Sequence, residues 1–120
     1  MEIQAYIPRD GLVQLKLKGD LDLYNAPELR RTLSEYIEDG QAIILDCEEM
    51  GYIDSSGIGV LVSTYTQMRA KKLPMWMVNV GGSVRKVLKL TSLLGFFPIA
   101  ESLEEAISMS ASNTSGSGPA

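Results

Sequence analysis

Histidine occurs nowhere in this chain of 120 residues. Its absence excludes Ser-His-Asp and Cys-His catalysis within the chain, and the common zinc sites with them. Cysteine occurs once, as Cys47, so no internal disulfide can form and a reducing, cytoplasmic setting is the simpler one. The bland role for Cys47 is a small buried apolar residue. Long apolar runs are also missing. None approaches the roughly 20 residues that span a bilayer, so no membrane is expected as a partner. Residues 1–11, which are mixed and carry Glu2, Arg9 and Asp10, do not read as a signal peptide. Basic residues are scarce, 11 against 15 acidic, for a net charge of −4. The adjacent pairs Lys71-Lys72 and Arg30-Arg31 make no basic face, so nucleic acid is not an expected partner either.

What remains is an ordinary globular composition, 45% hydrophobic and 22% charged, with material for one core. Alternation at Ile3, Ala5 and Ile7 predicts an edge-type strand over 1–8. Val13, Leu15 and Leu17 predict a second strand, joined to the first as a hairpin through Arg9-Asp10-Gly11. Asn25-Ala26-Pro27-Glu28 reads as a helix start, with Asn25 able to cap and Glu28 able to close a capping box. Leu29, Leu33, Tyr36 and Ile37 continue it, and Gly40 ends it. The unbroken run Ala42-Ile43-Ile44-Leu45 predicts a strand covered on both faces. A solvated turn at Glu48 to Gly51 and a short extended Tyr52-Ile53 come next. Helices are expected over 55–69 and 83–91, a strand over 73–80, and a last short strand over 97–100. Ser102-Leu103-Glu104-Glu105 is a second capping box, opening a helix to about Met109. The domain is therefore expected over 1–109, and the Ser/Gly/Asn-rich residues 110–120 as a disordered tail. This order implies an α/β fold, a mixed sheet with helices packed on it, and strand-to-helix turns gathered at one end.

The segment with chemistry is Tyr52-Ile53-Asp54-Ser55-Ser56-Gly57-Ile58-Gly59, where a strand gives way to a helix. First-turn amides lack internal partners and the helix dipole is positive there, so a phosphate on Ser55 or Ser56 would find donors. Capping alone is the simpler account, since Asp and Ser are favoured caps. Two glycines in a first turn cost roughly 1 kcal/mol each relative to alanine. A cap does not need them, and that points to a close-approach surface at Gly57 and Gly59. Met50 and Tyr52 flank the motif as candidate contacts. Met75-Trp76-Met77 reads as core. Asp20, Asp22 and Asp54 lack the further carboxylates that would complete a cation site, so no metal or cofactor is expected. A serine hydrolase is excluded by the missing histidine and by the absence of a G-x-S-x-G elbow.

Asp54-Ser55-Ser56-Gly57-Ile58-Gly59-Val60 resembles the signature of the STAS domain found in anti-sigma factor antagonists. Gly19-Asp20-Leu21-Asp22 followed by Asn25-Ala26-Pro27 resembles the acidic turn before that family's first helix. The resemblance implies a sheet of four or five strands flanked by about four helices. It implies a non-enzymatic antagonist that binds a GHKL-type anti-sigma factor kinase and releases the sigma factor. The kinase then phosphorylates the serine that corresponds to Ser55 and ends the interaction, and a PP2C-type phosphatase resets it. Asp22, Asp54, Ser56, Gly57, Ile58 and Gly59 are the partner-binding residues on this view. The alternative is a STAS subunit of a stressosome or lipid-transport complex, acting as a scaffold without phosphorylation.

Overall fold

The computed structural model describes the backbone of residues 1–116 and the side chains of 1–110. β1 (Glu2–Arg9) and β2 (Leu12–Leu21) pair antiparallel across a turn at Gly11, whose φ of +82° lies in the left-handed region that glycine tolerates. α1 (Ala26–Glu38) starts with Pro27 in its first turn and buries Leu29, Leu33 and Ile37. The chain then enters β3 (Ala42–Ile53), α2 (Ser55–Ala70), β4 (Met75–Val78), α3 (Gly82–Leu90) and α4 (Leu103–Gly116). The strands form one sheet in the order β1-β2-β3-β4, with β2, β3 and β4 parallel and β1 antiparallel. The α/β class with a mixed four-stranded sheet and four helices agrees with the sequence expectation.

β3 is buried without a break from Ala42 to Cys47 because each of its faces has its own cover. Ile43, Leu45 and Cys47 join the larger core, which α1, α2 and α3 close with Leu33, Leu61 and Leu88. Ala42 and Ile44 point the other way, into a smaller core with Leu12, Val78 and Ala106 of α4. Trp76 packs with this smaller core while Met75 and Met77 belong to the larger one, the alternation a strand demands. Burial, reinforced by the neighbouring Asp46 carboxylate, pushes the Cys47 thiol up to about 12, consistent with a packing role.

Four expectations change. Glu48 to Gly51 is not a turn but part of β3. Between the pairs Lys16↔Asp46 and Lys18↔Glu49, β3 spends one residue more than β2, and it does so again between Gly19↔Met50 and Asp20↔Tyr52. These two bulges break the period-two pattern, so the stretch reads as irregular although it stays paired. Lys16 Nζ lies 3.0 Å from Glu49 and 3.8 Å from Glu48, which ties the bulged segment to β2. Second, β4 is shorter than 73–80: it spans Met75–Val78, and Asn79 at φ +58° ends the extended run. Third, the stretch 97–100 contributes a single bridge, Met77↔Ile99, rather than a strand. Fourth, α4 runs past the expected end at Met109 to Gly116, and Ser110 is buried on it; residues 117–120 of the expected tail lie outside the described residues.

Candidate functional site

β2 and β3 are parallel and end side by side, Leu21 opposite Ile53. Two strand-to-helix junctions therefore meet: residues 22–25 lead from β2 into α1, and Asp54 leads from β3 into α2. The Asp54 N–H donates to the Leu21 carbonyl at 3.1 Å. Its carboxylate then serves both junctions. Oδ1 accepts from the Gly57 N–H at 3.0 Å, which caps α2, and Oδ2 accepts from the Leu23 N–H at 3.1 Å.

The acidic turn is held from within. Asp22 Oδ1 accepts from the backbone N–H groups of Tyr24 and Asn25 at 3.0 and 3.3 Å. Asn25 does not cap α1 as expected, and no capping box with Glu28 forms. Its side-chain Oδ1 accepts from the Asp22 N–H at 2.9 Å and its Nδ2 donates to the Asp20 carbonyl at 2.6 Å. Asn25 thus staples the loop, and the carboxylates of Asp22 and Asp54 are both engaged by backbone amides.

Ser55 is the first residue of α2 and is exposed, and its hydroxyl has no hydrogen bond among the described residues. With the cap supplied by Asp54, the serine is not needed for that job. The Gly57 amide is taken by Asp54, so the donors left at this helix start are the amides of Ser55 and Ser56. Ser56 is half-buried and Ile58, also half-buried, packs on the core. Gly57 departs from its expected place on a contact surface. It is buried, and a Cβ built there would lie 2.6 Å from Leu21 Cγ and 2.9 Å from both Ile53 Cγ1 and the Leu21 carbonyl oxygen. The absent side chain lets α2 sit against the ends of β2 and β3. Gly59 is exposed, with open space where a Cβ would be.

A groove of about 650 Å³ runs between α1 and α2, with Ala26, Pro27 and Val60 on its apolar wall, Ser55 and Ser56 along it, and Arg30 and Arg31 beside them. Around the same end of the sheet, Leu23 is 64%, Tyr24 91% and Tyr52 48% exposed. Tyr52 was a candidate contact in the sequence. Its companion Met50 is buried in the core instead. Leu23 and Tyr24 escaped notice, although an apolar pair inside an acidic turn was the available signal. Also missed was Asp46, buried on β3, which accepts from Asn79 Nδ2 at 3.0 Å and from the Glu48 N–H at 3.1 Å. No helix among the described residues is long and apolar enough to cross a membrane.

The sequence model of the STAS domain matches residues 4–106. An anti-sigma-B factor antagonist of Staphylococcus aureus (strain NCTC 8325 / PS 47) is 27% identical over 97 residues, covering 80% of this chain and 90% of that protein. Among solved structures, the anti-sigma factor antagonist SpoIIAA in its unphosphorylated form is 28% identical with a TM-score of 0.74, over 88% of this chain and 93% of that one. The Bacillus cell fate determinant SpoIIAA in the phosphorylated form is 26% identical with a TM-score of 0.71, over 90% and 98%.

Proposed function

The chain belongs to the STAS domain family, and from that membership we propose that it is an anti-sigma factor antagonist switched by phosphorylation of Ser55. The observation that carries this reading is the division of labour at the start of α2: Asp54 caps the helix, and the Ser55 hydroxyl is left exposed and unbonded. The relative and SpoIIAA named above are anti-sigma factor antagonists, and SpoIIAA is described in both unphosphorylated and phosphorylated forms.

In this reading the bare form presents Leu23, Tyr24, Tyr52 and the open surface at Gly59 to an anti-sigma factor kinase of GHKL type. Exposed aromatic side chains are the kind that anchor interfaces. Ser56 and Ile58 lie beside this surface, and Asp22 and Asp54 hold the two loops that display it. The kinase transfers the γ-phosphoryl group of its ATP to Ser55 Oγ. The O–H proton leaves, ADP is released, and the new ester carries about −1.5 to −2 charges at pH 7. Burying that charge against a partner is costly, so binding ends. A PP2C-type phosphatase hydrolyses the ester and restores the binding form.

The test is incubation of the purified protein with candidate GHKL kinases and labelled ATP, followed by mass spectrometric mapping. Phosphate is expected on Ser55. Ser55→Ala should bind the kinase but take no label, and Ser56→Ala should label as the parent does. Label on Ser56 instead, or full labelling of Ser55→Ala, overturns the assignment.

A further inference from the structure

Arg30 and Arg31 are the charged residues on the groove that also holds Ser55 and Ser56. Both are exposed positions of α1. Neither is paired: the ion pairs among the described residues all lie on the sheet, joining Lys16 or Lys18 to Glu48 or Glu49. Glu28 and Glu35 stand three residues before and four residues after Arg31, spacings at which helical side chains can meet, yet no ion pair forms with either. Arg30 has one described hydrogen bond, a long one of 3.4 Å from Nη1 to Ser63 Oγ on α2. In a chain of net charge −4, two guanidinium groups without counter-ions on the groove that Ser55 also lines need an explanation.

Resting on the reading of Ser55 as phosphoacceptor, we infer that Arg30 and Arg31 hold the phosphate of phosphorylated Ser55 within the groove between α1 and α2. The guanidinium fork matches the oxygens of a phosphate and binds it through charge-assisted hydrogen bonds. A phosphoserine of about −2 charge balances two arginines. The amides of Ser55 and Ser56, unpartnered among the described residues, add donors at the helix start. Ser63 lies eight residues beyond Ser55, about 12 Å along the helix, so the head group of Arg30 must swing toward the start of α2. A single 3.4 Å bond to a neutral hydroxyl resists this weakly. Arg31 has no described bond to break.

The switch then does more than add charge to a surface. The phosphate neutralises the arginines of the groove, so a partner loses a cationic edge at the moment it meets the new charge. A carboxylate at position 55 is shorter than a phosphoserine and carries a single charge, and it would reproduce the bridge to the arginines poorly.

The experiment installs phosphoserine at position 55 during translation, with no kinase, and titrates its ³¹P resonance in the full chain. The helix start acts equally in parent and variants, so the difference between them isolates the arginines. In the parent, the phosphate should titrate at least about half a unit, threefold in proton affinity, below its value in Arg30→Gln/Arg31→Gln. Lys89→Gln, an exposed change on α3, should titrate as the parent does. The Nε–H resonances of Arg30 and Arg31 should also shift between the unmodified and phosphorylated parent. Equal titration in parent and double variant, with unmoved arginine resonances, overturns the clamp and leaves the Ser55 switch standing. Failure of any kinase to modify Ser55 removes the switch and does not alter this titration.

Discussion

Asp54 and Ser55 are neighbours with different jobs, and their energetics should separate accordingly. The Asp54 carboxylate accepts from Gly57 and from Leu23, joining the start of α2 to the turn before α1. Asp54→Ala removes both acceptors and should destabilise the fold by about 1–2 kcal/mol. Ser55→Ala removes an exposed hydroxyl with no described partner and should stay within about 0.5 kcal/mol of the parent. Chemical denaturation midpoints compare the two directly, and equal losses would show that the serine shares the cap. The two glycines separate in the same way. Gly57→Ala puts a methyl group against Leu21 and Ile53 at under 3 Å and should cost about 1–3 kcal/mol. Gly59→Ala enters open space and should stabilise α2 by up to about 1 kcal/mol while weakening a partner that packs closely there. A Gly59→Ala protein that is more stable and binds as tightly as the parent would show that no partner approaches at that point. The motif itself could not tell the glycines apart, because what Gly57 must avoid is Leu21 and Ile53, residues of two strands that meet it only after folding.

Among the elements, β3 owes its length to a pair of bulges and to the charges that cross to β2. The hydrogen-bonded Lys16 ammonium holds the Glu49 carboxyl below the ordinary carboxylate range, and the same contact raises Lys16 above 10.5. A depressed carboxyl contributes stability that is present above its unfolded pKa and lost as pH falls through the folded one. A raised ammonium contributes stability that is complete below its ordinary pKa and lost only in strong alkali. Both contributions are therefore in place at neutral pH. Because the pair is solvent-screened, the effect is small. Glu49→Gln should be slightly less stable than the parent at pH 7, and the two unfolding midpoints should converge in acid as Glu49 protonates. A gap of constant size from neutral pH into acid would mean that the charge of Glu49 does not support the strand. From the sequence alone, Glu48 to Gly51 reads as a solvated turn. Bulges shift the phase of a strand without ending it, and only the register against β2 reveals that.

At the scale of the whole molecule, the sheet needs cover on both faces, and α4 supplies the smaller half. Ala106 is fully buried against the side that carries Leu12, Ile44 and Val78. Ala106→Asp should destabilise by about 3 kcal/mol or more, since it buries a carboxylate with no partner. Ser108→Asp, exposed on the same helix, should stay within about 0.5 kcal/mol. Calorimetry on the two variants tests whether α4 is structural, and equal melting temperatures would show that it is not. Local pattern in the sequence was enough to establish the hairpin, the doubly covered strand at Ala42 to Leu45, the helix start at Asp54-Ser55 and the α/β order, because strand and helix periods and cap chemistry act over a few residues. Tertiary structure alone decided the rest. It made Asn25 a loop staple rather than a cap, since the partners Asp20 and Asp22 come into reach only in the folded turn. It turned Gly57 inward, kept Glu48 and Glu49 in a strand, and put Arg30 and Arg31 on one groove with Ser55 and Ser56. The Asn25 staple closes within five residues but needs the turn already folded; the others depend on residues that are distant along the chain, and such contacts leave no local period to read.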